Sequence, residues 1–219
     1  MWCIQAMTEE YRTRMYRLLE LYQQAYDPDQ PIVCMDEKSK QLLEDSRRPI
    51  PAKPGQLEKY DYEYKRKGTC NIFVAVAPKA GMRVVKVTDT RKKEDFAYFV
   101  EDLVETHFPK ASCIQLVLDN LNTHFATSIT EAFDKPKADR ILEKVKFIHT
   151  PKHGSWLNMA EIEINIMDRQ CTGGRIASKE TLTSEVMNWS NDRNEKQRYI
   201  DWKFTRQNAD KKLSKHYVA

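Results

Sequence analysis

The chain has 219 residues, 41% of them hydrophobic, with ten Tyr and four Trp, which suits one large domain, or a domain plus a small appendage, with a real core and argues against a disordered chain. Net charge is only +4, and no apolar stretch approaches the roughly 20 residues of a membrane span. Met1–Ala6 lacks the basic start and long apolar core of a signal peptide, so a cytoplasmic protein is expected.

Cys3, Cys34, Cys70, Cys113 and Cys171 are scattered and form no CxxC pair, which argues for buried reduced thiols rather than a zinc site or disulfide framework. Charge is unevenly spread. Arg47–Lys67 holds seven Lys/Arg against three Asp/Glu, and Arg193–His216 holds eight against three. With Tyr60, Tyr62, Tyr64, Tyr199, Trp202 and Phe204 interleaved, these segments suit a phosphate backbone, although solvated surface is the simpler account of the charge alone.

In chain order, Thr8–Tyr26 places Tyr11, Met15, Leu18, Leu19 and Tyr22 at a helical period, with Thr8 as cap and Asp27-Pro28-Asp29 as stop. Residues 1–30 are read as a leading helix and linker, and Trp2-Cys3-Ile4 as the edge of a longer chain. Pro31–Asp36 is a short apolar strand, and Glu37-Lys38-Ser39 is expected to leave the sheet directly after Asp36. Pro49, Pro51, Pro54 and Gly55 make an irregular surface loop. Asn71–Pro78 fits a central strand buried on both faces, Lys79-Ala80-Gly81 turns the chain, and Met82–Thr88 returns. Thr90 and Lys93-Glu94-Asp95 open an amphipathic helix that runs to about His107.

Ile114–Asp119 is another buried strand ending in an acid. Helices Ala126–Phe133 and Ala138–Val145 are split by Pro136, and Lys146–His149 is the last strand. A long helix runs from about Ser155 to Cys171, where Gly173-Gly174 breaks it, and Lys179–Arg193 turns Leu182, Val186 and Trp189 inward. The order predicts an α/β fold, a ribonuclease-H-like mixed β-sheet flanked by helices, over residues 31–219.

A carboxylate ending a buried strand is costly unless water, a partner or a metal ion solvates it. Asp36 and Asp119 both end such strands and would be neighbours if the strands pair. Joined by Glu161 from the helical run after Ser155, they form a candidate set of hard oxygen ligands for Mg²⁺. Two such ions roughly 3.5–4 Å apart offset the charge on the attacking and leaving oxygens of a phosphodiester. Alternation along a strand lets only one of Asp36 and Glu37 face the site, and Asp36 directly follows the apolar run. Glu161 and Glu163 lie about 200° apart on a helix, so only one can point inward, and helical geometry alone leaves that choice open.

Three segments carry a family resemblance: Cys34-Met35-Asp36-Glu37-Lys38, Leu118-Asp119-Asn120-Leu121-Asn122-Thr123-His124, and Thr150-Pro151-Lys152-His153-Gly154-Ser155-Trp156-Leu157-Asn158-Met159-Ala160-Glu161. They resemble the catalytic-domain motifs of DDE transposases, bacterial insertion-sequence enzymes related to the mariner-like superfamily. The resemblance selects Glu161 as the third acid and implies that Asn122, His124, His153, Trp156 and Asn158 line or brace the site. The plainer roles are a helix cap for His124 and a helix anchor for Trp156. It further implies two Mg²⁺ or Mn²⁺ ions, and as partners double-stranded DNA, both transposon ends and a TA-type target, with a homodimer suited to handling two ends. Lys38, Arg47, Arg48, Lys152 and Arg175 are the candidate phosphate contacts.

Asp119 and Glu161 are 42 residues apart, a wider spacing than in compact mariner-like relatives, and the Asp134–Glu143 segment accounts for the excess. The family's amino-terminal helix-turn-helix has no counterpart in the sequence, which therefore reads as an isolated catalytic domain. The expected function is metal-dependent cleavage of transposon ends and transfer of the 3′-hydroxyl into target DNA. A nuclease or resolvase that cuts without joining, and an idle DNA-binding or assembly module, are the alternatives.

Overall fold

The computed structural model describes residues 6–218, and the Trp2-Cys3-Ile4 reading lies outside them. In chain order the elements begin with α1 (Glu9–Gln23), β1 (Ile32–Asp45), β2 (Tyr64–Ala77), β3 (Met82–Thr88) and α2 (Lys93–Asp102). They continue with β4 (Ile114–Leu118), α3 (Ala126–Ala132), α4 (Lys135–Glu143) and β5 (Val145–His149). Last come α5 (Met159–Met167), α6 (Lys179–Glu195) and α7 (Arg206–Leu213).

The strands form one sheet in the order β3-β2-β1-β4-β5. β1 runs antiparallel to β2 and parallel to β4, which is parallel to β5. This is the mixed sheet that the element order predicts. Successive strand residues feed opposite faces. Val33, Met35, Phe73, Ala75, Leu116 and Leu118 pack under α2, α3 and α4. Cys34, Val76 and Val117 meet α1 and the start of α5, while Ile72, Val74 and Val85 meet Met167 and α6. The second half of β2, from Cys70 to Ala77, is accordingly buried on both sides, as its apolar run requires.

One expectation is overturned. The chain does not leave the sheet after Asp36, because β1 continues to Asp45. Its partner β2 is also 14 residues long and holds the ladder from Cys34↔Val76 to Asp45↔Tyr64, with a bulge between Gln41 and Leu43. What does stop near Asp36 is the other neighbour, since β4 pairs with β1 only through Ile32↔Gln115, Val33↔Leu116 and Cys34↔Val117. Beyond that point β1 and β2 form a two-stranded ribbon, and residues 47–60 form its largely exposed tip.

Smaller differences have local causes. Pro136 does not separate two helices but sits in the first turn of α4, where its missing N–H is no loss. The long helix begins at Met159, not Ser155, because Asn158 caps it after a single 3-10 turn at Ser155–Leu157. At Met167 it passes into a wider π turn, Asp168–Thr172. The Lys79-Ala80-Gly81 turn needs its glycine: φ is +66°, and a Cβ there would lie 2.8 Å from the carbonyl carbon of Gln197.

No local signal marks the return of α7 to α1, yet Tyr16 donates to Asp210 and Met7 N–H donates to the His216 carbonyl at 2.8 Å. Among the described residues, no helix is long and apolar enough to cross a membrane.

Candidate active site

Asp36 and Asp119 each stand two residues beyond the last parallel pair, Cys34↔Val117, so adjacent strands deliver both acids to one edge of the sheet. Cys34 packs against Met159 and Ala160, so Asp36, two residues on, faces the helix that carries Glu161. Its Oδ1 accepts the Glu37 N–H at 2.8 Å. Burial pushes the Asp36 carboxyl up to about 7, the Glu37 N–H opposes this, and the charges of Glu37, Asp119 and Glu161 add to it. Glu161 is half-exposed, whereas Glu163 is fully buried against Arg83 on another side of α5. The two helix acids therefore part as their angular separation requires, and Glu161 is the one whose charge acts on Asp36.

Asp119 is held differently. Its Oδ1 accepts the Leu121 N–H at 2.9 Å and the His124 Nδ1–H at 2.7 Å. Burial acts to raise its carboxyl, but these donors and the His124 charge prevail and hold it below the usual carboxylate range. His124 is wholly buried, with Nε2 3.1 Å from Glu37 Oε2 in a contact out of line for a hydrogen bond. Burial works against its charged form, yet Asp119 and Glu37 raise it to about 9. His124 thus sits between an acid on each side, which favours its charged form, and Phe96 packs on its ring at 5.0 Å.

The other predicted lining residues divide sharply. Asn158 is buried, caps α5 by accepting the Ala160 N–H at 3.1 Å, and donates to the Met35 carbonyl at 2.7 Å. Trp156 donates to the Tyr11 hydroxyl at 3.2 Å and meets Phe204 edge-on, which ties it to α1 and the C-terminal segment. Asn122 and His153 are solvent-exposed, the latter with φ 62° in the turn before α5.

Among the candidate phosphate contacts, Arg48 and Lys152 are exposed and Arg47 pairs with Asp61 at 3.2 Å. Lys38 is instead engaged by Asp168. Arg175 bonds Asp45 at 2.7 Å and the carbonyls of Glu63 and Tyr62, lying over the rings of Tyr60 and Tyr64. Both are built into the fold.

Sequence reasoning missed two supports. Asn120 donates to the Thr150 carbonyl at 2.7 Å, binding the turn after β4 to the segment that leads into α5. Glu37 faces His124 from the opposite side of β1 to Asp36. The Asp-Glu and Asp-Asn doublets were the available signal for each.

Among the described residues, no three His, Cys, Asp or Glu side chains close into a cage that would hold a metal ion unaided. The donor set nonetheless fits Mg²⁺ or Mn²⁺. It is all carboxylate, and burial, with the charges of Glu37, Asp119 and Glu161 adding to it, disfavours the ionised form of Asp36, a penalty that a cation would offset. Mg²⁺ commonly takes one or two protein carboxylates and completes its shell with water and substrate phosphate oxygens.

Fold and site together define a ribonuclease-H-like enzyme with an acidic centre at the edge of its sheet. Residues 31–183 match the family model described as DDE superfamily endonuclease, and the chain belongs to that family. Among solved structures, it resembles the Mos1 transposase paired-end complex with left transposon end, with TM-score 0.64 and 13% identity over 99% of this chain and 65% of that one. The pre-cleavage Mos1 transpososome gives TM-score 0.64 at 12% identity, over 100% of this chain and 65% of that one. The Mos1 strand transfer complex gives 0.58 at 14%, over 90% and 62%. The chain thus spans less than two thirds of the length of these transposase chains. No curated protein matches its sequence.

Proposed function

We propose that this chain is the catalytic part of a cut-and-paste DNA transposase, which cleaves transposon-end DNA and joins the freed 3′-hydroxyl to target DNA. The observation that carries the reading is the delivery of Asp36 and Asp119 to one sheet edge by paired parallel strands, with the Glu161 charge acting on Asp36. The Mn²⁺- and Mg²⁺-containing Mos1 paired-end complexes add support from the same fold.

In this reading Asp36, Asp119 and Glu161 would hold the ions between them. The ions, once bound, supply the positive charge that offsets negative charge building on the attacking and leaving oxygens. The protein's part is to aim the acids and to keep Asp119 ionised. His124 holds Asp119 charged and fixes the carboxylate plane through Nδ1. Asn158 ties the start of α5 to the carbonyl directly before Asp36, so two of the three acids share one brace. The exposed Lys152 and Arg48 remain available to DNA phosphates.

The test is calorimetry of Mn²⁺ binding to this chain beside Asp36→Asn, Asp119→Asn and Glu161→Gln. Assays of cleavage and of strand transfer on DNA with a free 3′-hydroxyl end follow. Binding lost in the two aspartate variants and weakened in the third supports a shared site. Equal binding by all four proteins sinks it, and cleavage without any joined product reassigns the chain as a nuclease that does not join.

A further inference from the structure

We infer that Glu163, gripped between Arg83 and Arg193, is a positioning residue that sets the rotation of α5 and so the place of the Glu161 carboxylate. The inference rests on the metal site proposed above. Glu163 is completely buried, and so is its partner on β3: Arg83 Nε reaches Oε1 at 2.9 Å and Nη2 reaches Oε2 at 3.1 Å. Arg193 of α6 adds a third contact, Nε to Oε1 at 2.5 Å. One carboxylate therefore joins β3, α5 and α6.

This arrangement is a poor choice if stability is its only purpose. Burying ions carries a desolvation cost that their attraction often fails to recover, and apolar replacements of the same volume are commonly as stable. Arg83 Nη1 is in addition buried without a partner, which adds the cost of an unmade hydrogen bond. What a two-pronged guanidinium–carboxylate contact does provide is direction, since it fixes the plane as well as the distance of the carboxylate.

Direction is what α5 needs. The helix has only nine residues and gives way at Met167 to a π turn, so its own ladder is short. Its ends are tethered to β1: Asn158 to the Met35 carbonyl at the start, Lys38 to Asp168 and Lys40 to the carbonyls of Thr172 and Gly174 at the finish. These tethers fix where the helix lies. Glu163, on its flank, fixes how it is turned. Glu161 is two residues away, and about 20° of rotation would carry its carboxylate through about 2 Å. That exceeds the roughly 0.5 Å tolerance of a working site.

The experiment compares the parent chain with Arg83→Met/Glu163→Leu, an apolar pair made together with Arg193→Met so that no buried charge is left unpaired, and with Glu163→Gln. Each is made with and without Glu161→Gln. The readouts are Mn²⁺ affinity, thermal melting and crystal structures. The expected result is a Tm near the parent's for the apolar pair, roughly 10- to 100-fold weaker Mn²⁺ binding, and a Glu161 carboxylate turned from Asp36. In the Glu161→Gln background no further loss should appear.

Parent-like affinity with Glu161 in place overturns the inference, and so does a loss that persists without Glu161. If the apolar pair does not fold, Glu163→Gln carries the same comparison. If the parent binds no Mn²⁺, the proposed metal site falls, while the position of Glu161 in the crystal structures still decides the inference.

Discussion

The side-chain amide of Asn158 donates to the carbonyl of Met35 at 2.7 Å, and its oxygen accepts the Ala160 N–H at 3.1 Å. One buried residue thus joins the strand bearing Asp36 to the helix bearing Glu161. Asn158→Ala should lose a helix cap, at about 1 kcal/mol, and strand a buried carbonyl, at about 1–3 kcal/mol. Asn158→Ser keeps a cap acceptor but is too short to donate to the Met35 carbonyl, so it should recover only the first part. Urea unfolding of the two variants against the parent checks both; equal stability of Ala and Ser variants would deny the cap.

Stability should fall as pH rises through the range in which His124 titrates. Its folded value is about 9 against an ordinary 6.5, so its contribution is fully present below 6.5 and lost by about 9. Over that window the loss should be on the order of 3 kcal/mol. Asp36 adds a loss lower down, between its ordinary 3.8 and about 7, because ionising it in the fold is unfavourable. Urea midpoints between pH 5 and 9.5 measure this, and Glu37→Gln should shrink the upper part by removing one partner of the imidazolium.

Divalent ions should compete with the proton on Asp36. In the ion-free protein that proton leaves near pH 7. Apparent Mn²⁺ affinity should therefore climb by up to about tenfold per pH unit below 7 and level off above it. Calorimetry at a series of pH values reads this directly, and a flat profile across pH 5.5–7 would remove Asp36 from the ion's ligands.

Arg175 anchors the ribbon tip by its bonds to Asp45, Glu63 and Tyr62. Arg175→Ala should leave the core intact and loosen residues 47–63. Hydrogen exchange there should speed while amides of β2 from Cys70 to Ala77 keep their protection. Unchanged exchange at the tip would show that Arg175 does not anchor it.

Much of this chain was legible from local signals. The cap at Thr8, the apolar run of Asn71–Pro78, the Gly81 turn and the Met82–Thr88 strand follow from short-range periodicity and backbone preference. The acids after apolar runs marked Asp36 and Asp119 before any fold was known. Strand length was different. Nothing in Glu37–Asp45 announces a strand, and it forms only because β2 offers an equally long partner.

The distinction between Glu161 and Glu163 was likewise closed to the sequence as a matter of helical geometry, since each is a plausible inward acid. Tertiary structure separates the two by supplying buried arginines from β3 and α6 to Glu163 and leaving Glu161 half-exposed, with its charge acting on Asp36. The fates of Lys38 and Arg175 were decided in the same way, by acids far along the chain. Local sequence determined which segments are helix or strand and where acids meet apolar runs, because those depend on neighbours within a turn or two. Which charges stay free to act and which are spent on the fold depends on partners up to about 130 residues distant, and only the folded chain brings those together.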